Sequence, residues 1–277
     1  VTAVKTGKVS LIGSGPGDLE LLTLKAVRLL RECDVVFLDD LANPDILQFA
    51  KPEVEVLLVG KRPGKMHTAQ EWIIEQMIAY ARAGKNIARV KGGDPFIFGR
   101  GGEEIEALAE AGITFEVVSG LTAGMAVPAR LGIPLTHRHH ASGVTFMTGH
   151  SCKDEDVNWR CLVDSKNTIV IYMGIAKIEE IVNKLISHGL ESDTAVAIIE
   201  NGTLPEQRFH LTELSNLTAV VKDNGYASPS IIIIGNVVTL HNAVHKGLDN
   251  SRSQQPVPSV AVKKETKQPS TQALETA

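Results

Sequence analysis

Short β-branched runs alternate with helical patterns along this chain, and that alternation restricts its fold more than any other feature. Runs at 9–12, 35–38, 54–59, 87–90 and 115–118 are each followed by helical spacing, at 19–32, 44–50, 70–83, 103–111 and 122–131. Repeats of this kind predict parallel strands joined by crossover helices, a layered α/β arrangement. A second series begins near Thr168, with runs at 168–172, 195–200, 207–211, 230–235 and 237–240 and helical spacing at 177–188. Between the two series, 149–167 is polar and weakly periodic and reads as a linker. The expected architecture is two α/β domains, 8–148 and 168–247, with a cleft between them. Residues 248–277 are rich in Ser, Gln, Pro, Lys and Thr, the composition of a disordered tail.

With 277 residues and 43% apolar content, the chain can bury one large core or two modest ones. No apolar run approaches the roughly 20 residues that a membrane span requires. The opening Val1-Thr2-Ala3-Val4-Lys5 lacks the hydrophobic stretch of a signal peptide. Cys33, Cys152 and Cys161 are odd in number and have no CxxC spacing, which speaks against a disulfide framework or a zinc site and for a reducing, cytoplasmic setting. A net charge of -4 and 4% aromatic content give neither the basic footprint nor the stacking platforms of a nucleic-acid binder.

The segment that points to chemistry is Lys91-Gly92-Gly93-Asp94-Pro95-Phe96-Ile97-Phe98-Gly99-Arg100-Gly101-Gly102-Glu103-Glu104. A strand leads in and a helical pattern leads out, so the glycines fall at a crevice mouth where the backbone can approach a ligand closely. Asp94 adds a negative charge, which argues against phosphate and for a ligand with hydroxyl or cationic groups. Arg100 and Glu103 are three residues apart and share a helical face. They form either a carboxylate-binding fork with its orienting acid or a plain surface salt bridge.

An earlier glycine turn, Gly13-Ser14-Gly15-Pro16-Gly17-Asp18, is not a dinucleotide fingerprint. Asp18 stands where the third glycine belongs, and Pro16 has no N–H to offer a pyrophosphate. A P-loop is excluded as well, because Met66 follows Gly64-Lys65 where a hydroxyl is needed.

These two segments occur in order with Gly132-Ile133-Pro134-Leu135-Thr136-His137-Arg138. Together with Gly60-Lys61-Arg62, Tyr172-Met173-Gly174, Glu200-Asn201-Gly202-Thr203 and Ser228-Pro229, they resemble the uroporphyrinogen-III C-methyltransferases, a group within the S-adenosylmethionine-dependent tetrapyrrole methylases. The resemblance runs over roughly 8–245. It implies two α/β domains with the active site in the interdomain cleft, commonly as a homodimer. The implied reaction is two successive methylations of uroporphyrinogen III to precorrin-2, used for cobalamin, sirohaem or haem d₁, with S-adenosylmethionine as methyl donor and no metal. Family members are often fused to a dehydrogenase-chelatase module; this chain is expected to be the stand-alone form.

By the same resemblance the donor contacts are Pro16, Gly92, Gly93, Asp94, Ile97, Thr122, Ala123, Met173 and Gly202. Without it, Met173 reads more readily as a core methionine at a strand end than as a soft wall for an adenine or thioether. The resemblance gives Asp39 the proton-accepting role and Lys61 the donating one. Both follow apolar runs and so fall at the carboxyl ends of strands, where open α/β sheets place their ligands; Asp39-Asp40 alone would read as a strand-ending turn. Arg100, Arg138 and Lys61 are the expected contacts for the polyanionic substrate, and Arg100 with Glu103 joins the catalytic set. Lys65 and His67 extend the basic cluster around Lys61. The run His137-Arg138-His139-His140 is a poor metal site, because adjacent imidazoles do not share one face. The chain departs from the family pattern at Leu38, Ser119 and His139: the first two are expected to alter packing only, the third to bear on carboxylate recognition. Competing readings are a methylase of a later corrin intermediate and a catalytically silent tetrapyrrole-binding protein.

Overall fold

The computed structural model describes residues 6–60, 69–150 and 157–241. Lys61, its basic neighbours, Cys152 and the expected tail lie outside the described residues.

The first sheet contains β1 (Val9–Gly13), β2 (Val35–Asp39), β3 (Glu55–Val59), β4 (Ile87–Lys91) and β5 (Phe115–Val118), ordered β3-β2-β4-β1-β5 and parallel throughout. Both faces of the central strands are covered, which is why they read as mainly apolar runs, whereas the edge strand β3 leaves Val56 and Leu58 exposed. Helix α1 (Leu24–Glu32) places Leu29 and Leu30 against Ile12, Leu38 and Val90 on one face. On the other, Ile73 and Met77 of α2 (Gln70–Arg82) and Leu108 of α3 (Gly101–Glu110) meet Val9, Leu11 and Phe37. The crossover from β1 passes β4 to reach β2 on one face and that from β4 passes β1 to reach β5 on the other, so the loops leaving these neighbouring strands turn to opposite faces. Such a switch point opens a crevice at the carboxyl ends of the strands.

The second sheet is mixed. It comprises β6 (Val144–Thr148), β7 (Thr168–Tyr172), β8 (Ala195–Glu200), β9 (Arg208–Glu213) and β10 (Ser230–Ile234), ordered β6-β7-β10-β8-β9. Only β6 and β7 are parallel; β10 runs antiparallel to β7 and β8, and β8 to β9. Three expectations are corrected here. Residues 144–148, counted with the first domain, form the edge strand of the second sheet, their apolar signal diluted by Thr145 and Thr148. The expected linker holds a short helix at Trp159–Asp164. The run at 237–240 is a 3-10 helix, because Gly235, at φ 142°, ends the strand before it.

The helix that follows β5, Ala123–Arg130, is chemically a continuation of the first sheet but packs on the second. Its Val127 and the following Leu131 meet Val170, Ile231 and Ile233, filling the sheet face opposite helices Ile178–Ser187 and Leu217–Asp223. The start of this helix is tied down from across the boundary. The Tyr172 hydroxyl, at the end of β7, accepts from the Gly124 N–H at 2.7 Å and lies 2.6 Å from Thr122 Oγ1. A side chain at position 124 would place its Cβ 2.4 Å from that hydroxyl, so only glycine fits. Thr122 makes no side-chain cap bond of its own, and Tyr172 satisfies an otherwise orphaned helix N–H. Replacing Tyr172→Phe strips a partner from two buried polar groups and is expected to lower unfolding free energy by about 1–3 kcal/mol, measured by urea denaturation.

Candidate active site

Three strand tips of the first sheet converge through glycine. Gly15 donates to the Gly93 carbonyl at 3.1 Å and Gly93 donates to that of Gly15 at 2.8 Å, so the loops leaving β1 and β4 pair like a fragment of sheet. Ser14 adds two bonds to the Lys91 carbonyl, from N–H at 2.9 Å and from Oγ at 3.0 Å. The loop after β5 closes on both: a Cβ at Gly120 would fall 2.2 Å from Gly93 O, and one at Gly13 2.5 Å from Gly120 N. Outward, Gly93 is open. With φ at 65°, a Cβ there would meet nothing nearer than Ala123 N and Thr122 Cα, both at 3.8 Å. A ligand can therefore lie directly against this backbone, with Pro16, Gly92 and Ile97 on the same converging loops.

The opposite wall comes from the second sheet. Met173 follows Tyr172 at the tip of β7, with φ at 54° and 49% of its surface exposed. The loop after β8 is strained likewise, Asn201 at 50° and Thr203 at 72°. A side chain on Gly202 would put its Cβ 2.4 Å from Val127. The walls touch where Asp18 N–H donates to Thr203 Oγ1 at 3.1 Å. Of six non-glycine residues with positive φ among those described, five (Phe98, Arg100, Met173, Asn201 and Thr203) belong to these loops. Strained backbone gathers where a ligand must be clasped. Phe96, Phe98, Met125 and Met173 give the cleft exposed apolar groups, and the Phe98 ring lies 5.0 Å from that of Tyr172.

Asp94, expected among the donor contacts, is engaged by neighbouring loops. Its carboxylate accepts from Phe96 N–H at 2.8 Å, from Gly120 N–H at 3.1 Å and from the Ser119 hydroxyl, and it is 8% exposed. The charge staples the glycine loop to the tip of β5. Ser119, expected to change packing only, supplies one of those bonds, which proline has no group to make.

The largest omission from the sequence reading is a buried charge network beneath the cleft. Arg89 on β4, 1% exposed, donates through one guanidinium nitrogen to Asp39 Oδ1 at 3.2 Å and through Nε to Glu104 Oε1 at 3.0 Å. Lys91 Nζ reaches the same Glu104 oxygen at 3.1 Å, and Gln70 Nε2 at 2.9 Å. Burial, with Arg89 beside it, pushes the Lys91 ammonium below the usual lysine range against the pull of Glu104. The alternation of β4 carried the only sign of this, since Arg89 and Lys91 are charges inside an otherwise apolar strand.

Arg100 and Glu103 form a two-armed ion pair, at 2.9 and 2.6 Å, with each side chain about half exposed (52%). Hydrogen bonding holds both charged, raising the guanidinium and lowering the carboxyl. Arg138 stands exposed at the tip of the tight turn closed by the His137–Ala141 bridge. Among the described residues, no group of three or more His, Cys, Asp or Glu is disposed to hold a metal ion.

Residues 8–218 match the model of the tetrapyrrole (corrin/porphyrin) methylases. The uroporphyrinogen-III C-methyltransferase of Bacillus subtilis is 44% identical over 237 residues, 85% of this chain and 92% of that protein. The siroheme synthase of Saccharophagus degradans is 45% identical over 242 residues, 87% of this chain but 53% of its own length. The chain thus spans about half the length of several curated relatives that it matches. Among solved structures, uroporphyrin-III C-methyltransferase from Thermus thermophilus superposes with a TM-score of 0.73 at 36% identity, covering 86% of this chain and 98% of that one. The same enzyme complexed with S-adenyl homocysteine gives 0.71 at 34%, covering 84% and 93%. Sequence and fold together place this chain among the tetrapyrrole methylases.

Proposed function

We propose that this chain transfers methyl groups from S-adenosylmethionine to uroporphyrinogen III, twice, to give precorrin-2. The observation that carries the reading is the open face of Gly93, set against Thr122 and Ala123 in the same cleft as Met173. It offers a side-chain-free wall, a polar helix start and a soft thioether to one elongated ligand. The relatives named above supply the substrate. By this reading Pro16, Gly92, Gly93, Ile97, Thr122, Ala123, Met173 and Gly202 contact the donor, and Asp94 acts by holding the loop that carries the glycines.

The donor, when bound, supplies an electrophilic methyl on a positively charged sulfur. Methyl transfer from sulfur to a ring carbon leaves the bonding pair on sulfur and places the positive charge on the macrocycle, which must then lose a proton. Asp39, at the tip of β2 with its side chain 27% exposed, is the acceptor. Lys61 is assigned the donating role. Arg100, fixed by Glu103, grips a substrate carboxylate, and Arg138 takes another. The apolar rings at the cleft mouth exclude water, and alignment supplies much of the rate. The enzyme is read as a cytoplasmic homodimer. No described helix is long and apolar enough to cross a membrane, and Cys33 and Cys161 are free thiols.

Incubation with methyl-labelled donor and uroporphyrinogen III is expected to label the macrocycle. Transfer only to a later corrin intermediate would select that alternative, and absence of donor turnover on either would leave a binding protein. Asp94→Ala is expected to weaken S-adenosylhomocysteine binding by about tenfold, or 1.4 kcal/mol, in calorimetry; unchanged affinity would refute the assignment. Arg100→Leu is expected to cut kcat/KM by at least about a hundredfold with donor affinity within about twofold. Surviving activity would reduce Arg100 to a surface charge.

A further inference from the structure

Two cations in the middle of a parallel sheet are costly, and a buried ion network of this kind is often no more stabilising than apolar residues of similar size. Arg89 and Lys91 nevertheless point to one face of β4, two residues apart, and both are almost fully buried. Facing them is Glu104 from the first turn of α3, 0% exposed. One of its oxygens receives Arg89, Lys91 and Gln70, while Oε2 is buried with no hydrogen-bond partner among the described residues. The three guanidinium nitrogens of Arg89 each have a separate acceptor: Glu104, Asp39 and the Val90 carbonyl at 3.2 Å. Asp39 is the most exposed carboxylate of this set and the one that opens toward the strand tips.

We infer that Glu104 and Arg89 are positioning residues, with Glu104 as a hub that sets the Asp39 carboxylate in register with the glycine loop. Through Arg89 the hub reaches the tip of β2; through Lys91 it reaches the residue immediately before Gly92-Gly93; through Gln70 it reaches the start of α2. One buried anion thereby fixes the distance between the proton acceptor and the donor wall, and neither Glu104 nor Arg89 needs to touch a ligand. Lysine cannot replace Arg89, because a single ammonium does not span two carboxylates with separate, fixed donors. The inference rests on the reading of Asp39 as proton acceptor, so Asp39→Asn is carried as a parallel arm.

The test measures steady-state methylation of uroporphyrinogen III, S-adenosylhomocysteine affinity by calorimetry and thermal melting for Glu104→Gln, Arg89→Lys and Asp39→Asn. In Glu104→Gln and Arg89→Lys, kcat is expected to fall about tenfold or more while KM and S-adenosylhomocysteine affinity stay within about twofold. Parent-like kcat in both, with Asp39→Asn inactive, overturns the positioning role and leaves Asp39 its own. Full activity in Asp39→Asn removes the acceptor itself, and the inference with it. Should Glu104→Gln fail to melt cooperatively, the charge-conserving Arg89→Lys decides. Loss of donor affinity in step with kcat, or failure of both variants to fold, assigns the network to general structure and overturns the proposal.

Discussion

The cleft exists because a helix begun by one sheet is buried by the other. Helix Ala123–Arg130 leaves the tip of β5 and fills the open face of the second sheet, so the two halves cannot separate without exposing Val127 and Leu131 together with their partners. The Tyr172 hydroxyl fixes the helix start. That single junction brings Thr122 and Ala123 opposite Gly93 and sets Met173 beside them. The hydrophobic face supplies the driving force, and the two polar contacts supply the register.

Around that junction, glycine does two distinct jobs. Gly13, Gly120, Gly124 and Gly202 are filled tightly by neighbours, and a Cβ on any of them would collide within 2.5 Å. Gly93 is the reverse, a left-handed residue with open space before it. The first kind lets the strand tips and the helix close up; the second leaves a surface against which a ligand can lie. The adjoining loops hold side-chain-bearing residues at positive φ, at a cost in backbone strain.

Charge is divided in a similar way. Asp94 and Glu104 are buried and engaged inside the protein, whereas Arg100 and Glu103 pair in half-open solvent. A buried carboxylate with fixed donors holds geometry, and an exposed guanidinium can exchange its partner for an incoming carboxylate at little cost. Adjacent residues in one short run, Glu103 and Glu104, thus fall on opposite sides of this division by the turn of a helix.

The alternation of strands and helices was legible because the central strands of the first sheet are covered on both faces and therefore mainly apolar. The glycine loops and the family motifs were legible because they are contiguous, and a close backbone approach demands glycine locally. The edge strand β6 is hard to read because a sheet edge tolerates polar residues such as Thr145 and Thr148 in a short run, and the mixed direction of the second sheet leaves no mark in composition. The partners of Asp94 and the hub at Glu104 were beyond reach for a stronger reason. Ser119 lies 25 residues from Asp94, Arg89 lies 50 from Asp39, and Tyr172 lies 48 from Gly124. Local sequence determines where the chain turns and which residues it offers there. Whether a carboxylate meets a ligand or a neighbouring loop is decided only when distant strands pack, because a charge is bound to whichever donor the tertiary fold brings within hydrogen-bond reach.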